Sequence, residues 1–424
     1  MAVPEGWREV RLGDDVDVRI GGTPSRAEPS FWAQNDERGH PWASIADLQD
    51  RWVRKTAERI TDLGVERSNV KRVEPGTVLM SFKLTIGRVA RATQPMFTNE
   101  AIAALVPGRA VSPDYLYYAA PVAASSGVAD DAIKGKTLNK AKLLELPLLV
   151  PPLPEQRKIA AILSSVDETI EKTEAVIEQL QVVKKAMMEE LLTRGIPGRH
   201  TRLVPLATEW RVGRVRPGLA EIPESWRLVR LTDEARLESG HTPSRQHPEY
   251  WNGDIPWVSL HDSRNLDGPS IMQTAQTIGP LGLANSSARL LPAGTVVFSR
   301  TATVGKCTVL GREMATSQDF ANYVCGMGLR PRYLMHLMRH MQTEWKRLMA
   351  GSTHQTIYMP VFRDLQILLP PVEEQQEIVD VVDSTDARLA AEAGTLTELR
   401  RLKAALSAAL LSGDLRVTPH EVSP

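Results

Sequence analysis

Apolar side chains recur at alternating gaps of three and four residues in two long stretches of the chain. The first stretch follows Pro151 and the second follows Pro370, and the seam positions of the first return 219 residues later in the second. This spacing is the heptad pattern of helices that pack along a shared seam. The predicted seam consists of Ile159, Leu163, Val166, Ile170, Ile177, Leu180 and Lys184 in the first stretch and Ile378, Val382, Leu389, Leu396, Leu399 and Lys403 in the second.

Each stretch predicts one long helix. Prolines and a glutamate open each stretch, and Gly195 and Gly413 follow the last seam residues, as is typical of helix ends. At a rise of 1.5 Å per residue, a helix of about 40 residues is roughly 60 Å long. Because both helices carry the same seam pattern, the sequence favours packing of the helices against each other over packing of each on its own globular domain.

The direction of the helix pair follows from two lysines. Lys184 and Lys403 occupy the same heptad position. In a parallel pair in register, their ammonium groups would face and repel each other in a partly dry site. We therefore expect an antiparallel pair with its two-fold near Ala175, which would put Lys184 over Thr385 and Lys403 over Val166.

An internal repeat extends beyond the helices. Segments 4–8, 21–26, 41–44, 76–81, 85–88 and 113–116 return at 223–227, 240–245, 256–259, 294–299, 303–306 and 331–334. Between these anchors, residues 47–75 and 262–293 share almost nothing, which indicates two sites of related geometry and different specificity. The predicted organisation is a globular domain at 1–150, a helix at 151–195, a linker at 196–222, a second globular domain at 223–370, a helix at 371–413 and a tail at 414–424.

The pattern inside each globular copy predicts an α+β fold. Short apolar runs bounded by glycine turns predict strands followed by hairpin partners, and longer runs predict helices. The expected strands are Val78–Phe82 and Val296–Ser299, their partners Ile86–Ala90 and Val304–Val309, and the helices Asp114–Ala124 and Arg332–Met349. Residues 193–222 are rich in proline and glycine, so we expect them to connect rather than to form a core.

Composition and charge narrow the class of protein. Hydrophobic residues make up 42% and charged residues 24% of the chain, and the formal net charge is zero. These values are ordinary for a globular protein and do not by themselves indicate nucleic-acid binding. Two cysteines are too few for a disulfide framework. Without a signal peptide or a bilayer-spanning apolar run, we expect a cytoplasmic protein.

Motifs for catalysis and metal binding are weak. His336 and His340 lie four residues apart, as zinc ligands can, but no third ligand is apparent, so we expect surface histidines. Asp319 with Glu344 and Lys346 faintly resembles a metal-dependent nuclease pattern, but a solvated helix face explains Glu344 and Lys346 better. We find no nucleotide-binding loop and no nucleophile elbow, so the sequence predicts a protein without catalytic activity and without a metal site.

Polar loops marked by glycine remain as candidate binding sites. Their arginine and lysine side chains can take phosphate oxygens or the guanine edge, and Asn139 and Gln355 can pair with adenine. A structural turn is an equally good explanation of the repeated Thr-Pro-Ser, and Trp42 and Trp257 are expected in the core. The candidate DNA-binding residues are Arg26, Lys83, Arg88, Lys136, Asn139 and Lys140 in the first copy and Arg245, Arg300, Lys306, His354 and Gln355 in the second.

Taken together, these motifs resemble the specificity subunit of type I restriction-modification enzymes. The resemblance is carried by Pro-Glu-x-Trp, Gly-x-Thr-Pro-Ser-Arg, Pro-Trp-x-Ser and the doubled block that opens each helix, beginning Pro-Pro-Leu-Pro-Glu-Gln-Arg-Lys-Ile-Ala at 151–160. The second copy of that block departs, with Val372-Glu373-Glu374-Gln375-Gln376-Glu377.

The resemblance implies two target-recognition domains that each read half of a bipartite, asymmetric site on double-stranded DNA. It also implies that the helices act as a spacer on which modification subunits, two of them, and restriction subunits assemble. S-adenosylmethionine, ATP and Mg would then bind to those partner subunits and not to this chain. The alternative is a non-enzymatic coiled-coil scaffold whose globular ends bind protein.

Overall fold

The computed structural model of the protein describes residues 3–33, 39–129, 138–206, 210–349 and 355–417, with the backbone alone for 127–129. The chain divides into two compact units. The first unit comprises Met1–Glu174 and Gly394–Pro424, and the second comprises Ala175–Ala393. No helix in the described ranges has the length and apolar character needed to cross a membrane.

The first unit is an α+β fold. Its strands are β1 (Arg8–Arg11), β2 (Val16–Ile20), β3 (His40–Ala43), β4 (Trp52–Val53), β5 (Glu58–Ile60), β6 (Arg72–Val73), β7 (Val78–Ser81), β8 (Val89–Ala92), β9 (Met96–Thr98), β10 (Ile102–Pro107) and β11 (Pro147–Val150). Its helices are α1 (Leu12–Asp15), α2 (Asp62–Glu66), α3 (Pro113–Ala129), α4 (Lys140–Leu144) and the beginning of the long helix α5 (Leu153–Thr193).

The largest sheet of the first unit has the order β2-β10-β7-β8-β4, and a second sheet has the order β5-β3-β9-β6. Strand β7 shows why the larger sheet is central. Val78 and Met80 belong to a core with Tyr115 of α3, whereas Leu79 between them belongs to a separate core with Leu48. Side chains alternate between the two faces of a strand, so both faces of this sheet are covered.

The second unit repeats this architecture. Its strands are β12 (Leu203–Pro205), β13 (Glu221–Pro223), β14 (Arg227–Arg230), β15 (Ala235–Ser239), β16 (Trp251–Val258), β17 (Gln276–Ile278), β18 (Val296–Ser299), β19 (Cys307–Val309), β20 (Ala315–Thr316), β21 (Phe320–Cys325) and β22 (Gln366–Leu369). Its helices are α6 (Leu231–Glu234), α7 (Pro280–Ala284), α8 (Pro331–His340), α9 (Gln342–Met349), α10 (Met359–Arg363) and the beginning of the long helix α11 (Val372–Ser412).

Its sheets have the orders β15-β21-β18-β19 and β17-β16-β20. Val296 and Phe298 of β18 face a core with Tyr333 of α8, and Val297 faces a core with Val258. The alternation seen along β7 therefore returns along β18, as the repeat predicts.

Three local predictions are wrong in detail. The hairpin partner strands start at Val89 and Cys307, later than expected, because the residues before them form the turn. Gly87 and Gly305 take left-handed φ values of 82° and 95° there. The helix expected over Arg332–Met349 is broken at Met341, whose N–H donates to the Met338 carbonyl at 3.3 Å.

The linker at 196–222 also contributes side chains to the core of the second unit. Trp210 and Val215 are buried and belong to the main core of the second unit. Gly213 has a φ of +92°, and a Cβ there would lie 2.4 Å from the Gln366 carbonyl oxygen. Its N–H donates to Glu344 Oε1 at 3.0 Å. Glu344 is thus a buried anchor for the linker, so the prediction of a solvated Glu344 is wrong.

The long helices pack antiparallel in both units, which confirms the expected direction. In the first unit, Lys403 Nζ lies 2.5 Å from Asp167 Oδ1, and Arg400 pairs with Glu174 at 2.7 Å. In the second unit, Lys184 forms an ion pair with Asp386. Lys184 thus pairs with the residue that follows the predicted Thr385, and Lys403 pairs with the residue that follows the predicted Val166.

Burial along the helices has the heptad period. The predicted seam positions are buried or half-buried, while most positions between them are exposed. Ile159, Leu163 and Ile170 belong to the buried set in the first unit, and Ile378 and Val382 in the second. The others are half-buried: Val166, Ile177, Leu180, Lys184, Leu389, Leu396, Leu399 and Lys403.

Candidate nucleic-acid interface

Arg26 lies on a pair of tryptophans at the edge of the first unit. Its guanidinium carbon is 3.7 Å from the Trp32 ring centroid and 5.2 Å from that of Trp42. Glu58 on β5 accepts hydrogen bonds from the guanidinium, one of them at 2.9 Å from Nη2. These hydrogen bonds raise the pKa of Arg26 and lower the pKa of Glu58. We call Arg26, Trp32, Trp42 and Glu58 the first Arg–Trp cluster.

The second unit contains the same arrangement, with an amide in place of the carboxylate. Arg245 lies 3.6 Å from the Trp251 centroid and 5.6 Å from that of Trp257. Here the guanidinium donates to the amide oxygen of Gln276 at 2.9 Å. Arg245, Trp251, Trp257 and Gln276 form the second Arg–Trp cluster. A carboxylate neutralises Arg26, whereas an uncharged amide leaves the charge of Arg245 in place.

The tryptophans also hold the loop that precedes each arginine. Trp42 Nε1 donates to the Gly22 carbonyl at 2.9 Å, and Trp257 Nε1 donates to the His241 carbonyl at 3.0 Å. Both indoles are buried, as expected of core residues. The Thr-Pro-Ser loop is thus held at its carbonyl groups by the tryptophans of its own unit.

A second acid-to-amide exchange lies beside each cluster. Thr23 Oγ1 donates to the carboxylate of Glu100, and Thr242 Oγ1 donates to Gln318 Oε1 at 2.6 Å. The hydrogen bond from Thr23 lowers the pKa of Glu100, and the charges of Lys83 and Arg26 lower it further. Glu58 and Glu100 of the first unit thus correspond to Gln276 and Gln318 of the second unit.

The hairpin after each central strand carries a strained residue. Leu84 and Ala302 have left-handed φ values of 62° and 58°, a conformation that costs non-glycine residues of order 1–3 kcal/mol. Leu84 is 81% exposed and directly follows Lys83. Arg88 ends the same hairpin, where its carbonyl accepts from the Ser81 N–H at 2.9 Å. Backbone strain at equivalent exposed positions marks both hairpins as functional candidates.

In the second unit, Arg300 and Lys306 make contacts within the fold. Arg300 Nε donates to the Gln318 carbonyl at 2.9 Å and Nη1 to the Ile357 carbonyl at 3.3 Å. Lys306 Nζ donates to Asp267 Oδ2 at 2.6 Å. Arg300 thus contacts Gln318, whose side chain accepts from Thr242, whereas the charge of Lys306 is offset by a carboxylate.

The remaining candidates are more peripheral. Asn139 caps α4, and its amide oxygen accepts from the Lys142 N–H at 2.9 Å. The cap occupies one of the two acceptor positions of that oxygen. Lys140 and Gln355 are exposed. Lys136 and His354 lie outside the described residues.

The sequence did not identify Glu58, Glu100, Gln276 and Gln318 as site residues. The signal that could have found them is the offset between the copies, because the acids and the amides occupy corresponding positions. Glu58 and Gln276 lie in the segments that diverge between the copies, and Glu100 and Gln318 lie between two anchors, so anchor matching alone passes over them.

His336 has a structural explanation. His336 is buried, contrary to expectation, and its Nε2 lies 2.8 Å from Asp383 Oδ1, which also accepts from Arg332. Burial lowers the pKa of His336 in spite of that carboxylate. Among the described residues, no group of three or more His, Cys, Asp or Glu could hold a metal ion.

Comparison with known families agrees with this architecture. The family model described as "Type I restriction modification DNA specificity domain" matches residues 4–182 and again 223–401. Each match contains one Arg–Trp cluster. The chain therefore belongs to the family of type I restriction modification DNA specificity domains and carries two of them.

Relatives and a solved structure extend the likeness over most of the chain. The putative type I restriction enzyme MjaX specificity subunit of Methanocaldococcus jannaschii is 23% identical over 98% of this chain and 95% of its own. The MjaIX specificity subunit of the same organism is 28% identical over 42% of this chain and 41% of its own. A chain of a solved type I R-M system shares the fold with a TM-score of 0.61 at 18% identity, covering 98% of this chain and 100% of its own.

Proposed function

We propose that this chain is the DNA sequence-recognition subunit of a type I restriction-modification complex. Each Arg–Trp cluster and its neighbouring hairpin reads one half of a bipartite, asymmetric site on double-stranded DNA. The antiparallel helices set the spacing between the half-sites and dock the modification subunits. The observation that carries this proposal is the doubled Arg–Trp cluster, in which the frame is kept while Glu58 is exchanged for Gln276.

The chemistry of the clusters suits DNA. A guanidinium offers a planar fork of donors that matches phosphate oxygens and the O6 and N7 atoms of guanine. Stacking on Trp32 or Trp251 fixes the plane of that fork, so less side-chain freedom remains to be lost on binding. Because the residue facing each arginine differs, the two half-sites should differ as well.

Partner subunits would supply the reactions. We propose that two modification (methyltransferase) subunits use S-adenosylmethionine, that restriction subunits use ATP and Mg, and that this chain contributes no catalytic residue. Two observations support this division. The sequence lacks nucleotide-binding and nucleophile motifs, and relatives of the chain are named as specificity subunits.

The decisive experiment exchanges one domain. Residues 1–150 would be replaced by the matching domain of a relative, and the methylome of cells that also carry the modification subunit would be sequenced. We expect one half-site to change, while the other half-site and the spacing stay as they were. A change in both half-sites together would refute independent reading by the two domains.

A binding measurement separates this function from a protein-binding scaffold. Duplex DNA should bind with an affinity that falls steeply as salt rises, because each neutralised phosphate releases counterions. A scaffold that binds only protein would show no such dependence.

A further inference from the structure

Leu84 stands at the tip of the hairpin that joins β7 to β8 in the first unit. Its φ is +62°, and the Thr85 N–H donates to the Lys83 carbonyl at 2.8 Å across it. A hydrogen bond between residues two apart around a positive φ makes a γ-turn of the rare, strained kind. Glycine would adopt this conformation freely. Because the Leu84 side chain is 81% exposed, the fold gains almost nothing from a leucine at this position.

Hydrogen bonds fix the rest of the turn. Ser81 Oγ donates to the Thr85 carbonyl, and the Gly87 N–H donates to the Ser81 carbonyl at 2.9 Å. At the base of the hairpin, the Phe82 N–H donates to the Ala101 carbonyl at 3.0 Å. The leucine is thus presented to solvent from a turn that has little conformational freedom left to lose on binding, as suits a recognition element.

Glu100 links this hairpin to the first Arg–Trp cluster. Its carboxylate accepts from Thr23, which lies on the loop that precedes Arg26. That hydrogen bond lowers the pKa of Glu100, and the charges of Lys83 and Arg26 lower it further, so both cations lie near one carboxylate. Leu84 directly follows Lys83 and therefore stands beside the cluster.

The second unit has the same turn without the leucine. Ala302 occupies the position that corresponds to Leu84. Its φ is +58°, and the Thr303 N–H donates to the Thr301 carbonyl at 2.6 Å. The strained turn is thus shared, whereas the long apolar side chain on it is particular to the first unit. A ligand common to both units would not explain that difference, but two half-sites of different sequence do.

We propose that Leu84 contacts the C5-methyl group of a thymine in the major groove and makes the first unit selective for thymine at one position of its half-site. This inference rests on the proposed function. The major groove admits a two-stranded β-ribbon such as the antiparallel β7–β8 hairpin, and thymine presents a methyl group there. Lys83 and Arg88 of the same hairpin can take phosphate oxygens, which position the hairpin without reading sequence. The leucine adds an apolar contact that depends on the base.

The test combines substitutions in the protein with substitutions in the DNA. The duplex carries the site defined by methylome sequencing, and the domain exchange assigns one half-site to the first unit. Each thymine of that half-site is replaced in turn by deoxyuridine, which lacks only the methyl group. Fluorescence anisotropy at fixed salt measures binding of the full-length chain. We expect one replacement to weaken binding of the wild type about fourfold, the effect of removing one buried methyl group.

Two variants remove the apolar side chain while suiting the backbone. Glycine and asparagine both tolerate a positive φ, so Leu84→Gly and Leu84→Asn should keep the fold, which urea unfolding checks. In both variants, the deoxyuridine that weakens wild-type binding should bind as well as thymine. Leu402→Ala is the control, because it shortens an exposed leucine on α11, and it should keep the wild-type response to deoxyuridine.

The possible results separate this inference from the proposed function. A response to deoxyuridine that persists in the folded Leu84→Gly and Leu84→Asn variants overturns the inference. A half-site in which no deoxyuridine weakens wild-type binding overturns it as well. Both results leave the proposed function standing, because they are measured on a chain that binds duplex DNA. A chain that binds no duplex DNA contradicts the proposed function and this inference together.

Discussion

Lys403 Nζ lies 2.5 Å from Asp167 Oδ1 across the two long helices of the first unit. The second unit makes the same pair between Lys184 and Asp386, and both members of each pair are 219 residues apart from their counterparts. Charged residues on an otherwise apolar seam favour the one direction and register in which opposite charges meet. A parallel pair in register would oppose lysine to lysine, so these pairs specify the antiparallel arrangement.

Reversing one charge of a seam pair should destabilise the chain. In Lys184→Glu, a carboxylate would face Asp386, and we expect a loss of about 1 kcal/mol after allowance for solvent screening of these half-buried groups. The exchange of both residues, Lys184→Glu with Asp386→Lys, should recover most of that loss. Urea unfolding measures both.

The matched control for that experiment is Lys185→Glu, which changes the exposed neighbour on the same helix. It should leave the unfolding midpoint nearly unchanged. A clear stabilisation by Lys184→Glu alone would indicate a lysine–lysine contact and contradict the antiparallel pair.

The first unit should lose stability in acid through Glu155. Burial alone would raise the pKa of Glu155, but hydrogen bonds from Arg416 and Trp7 outweigh burial and hold the pKa below its usual value. A depressed carboxyl pKa stabilises the fold above the unfolded pKa of about 4.3, and this contribution is lost as pH falls through the folded pKa.

We therefore expect Arg416→Gln to lower the free energy of unfolding at pH 7, with a difference from the wild type that shrinks as the solution is acidified. Urea titrations over a pH series check this. Arg401→Gln, at an exposed position of α11, is the control. A gap between Arg416→Gln and the wild type that stays constant down to acid pH would show that Glu155 does not carry the effect.

The acid-to-amide exchange between the clusters should control DNA affinity. Gln276→Glu would neutralise Arg245 and is expected to weaken duplex binding, and Glu58→Gln should strengthen it, each by about 1 kcal/mol or less because the groups are partly exposed. Fluorescence anisotropy at several salt concentrations measures the effect. Glu66→Gln, an exposed acid on α2, is the control. Changes of equal size in all three variants, with Gln276→Glu opposite in sign to the other two, would reflect net charge and not the clusters.

Shortening the helices should act on spacing and not on base preference. Removing one heptad from each long helix takes away about 10 Å of length. We expect the spacing between half-sites to change, or binding to be lost, while each half-site preference is kept. Methylome sequencing of cells with the modification subunit reads both quantities. Altered half-site bases with unchanged spacing would assign base reading to the helices and contradict the proposal.

The sequence by itself determined the repeat, the two long helices and their direction. Heptad spacing is a local property, and Lys184 with Lys403 at one heptad position left only the antiparallel arrangement free of repulsion. The strands that begin at Val78 and Val296 could also be predicted from the sequence, because glycine turns and β-branched or apolar runs specify short strands locally.

Only the tertiary structure decided which side chains meet. It placed Glu58 against Arg26 and Gln276 against Arg245, which lie 32 and 31 residues apart along the chain. It also buried Trp210, which lies in a stretch rich in proline and glycine. Local patterns report which face of an element is apolar, whereas the partner of a polar side chain depends on how distant segments pack, and that packing is set by the whole core.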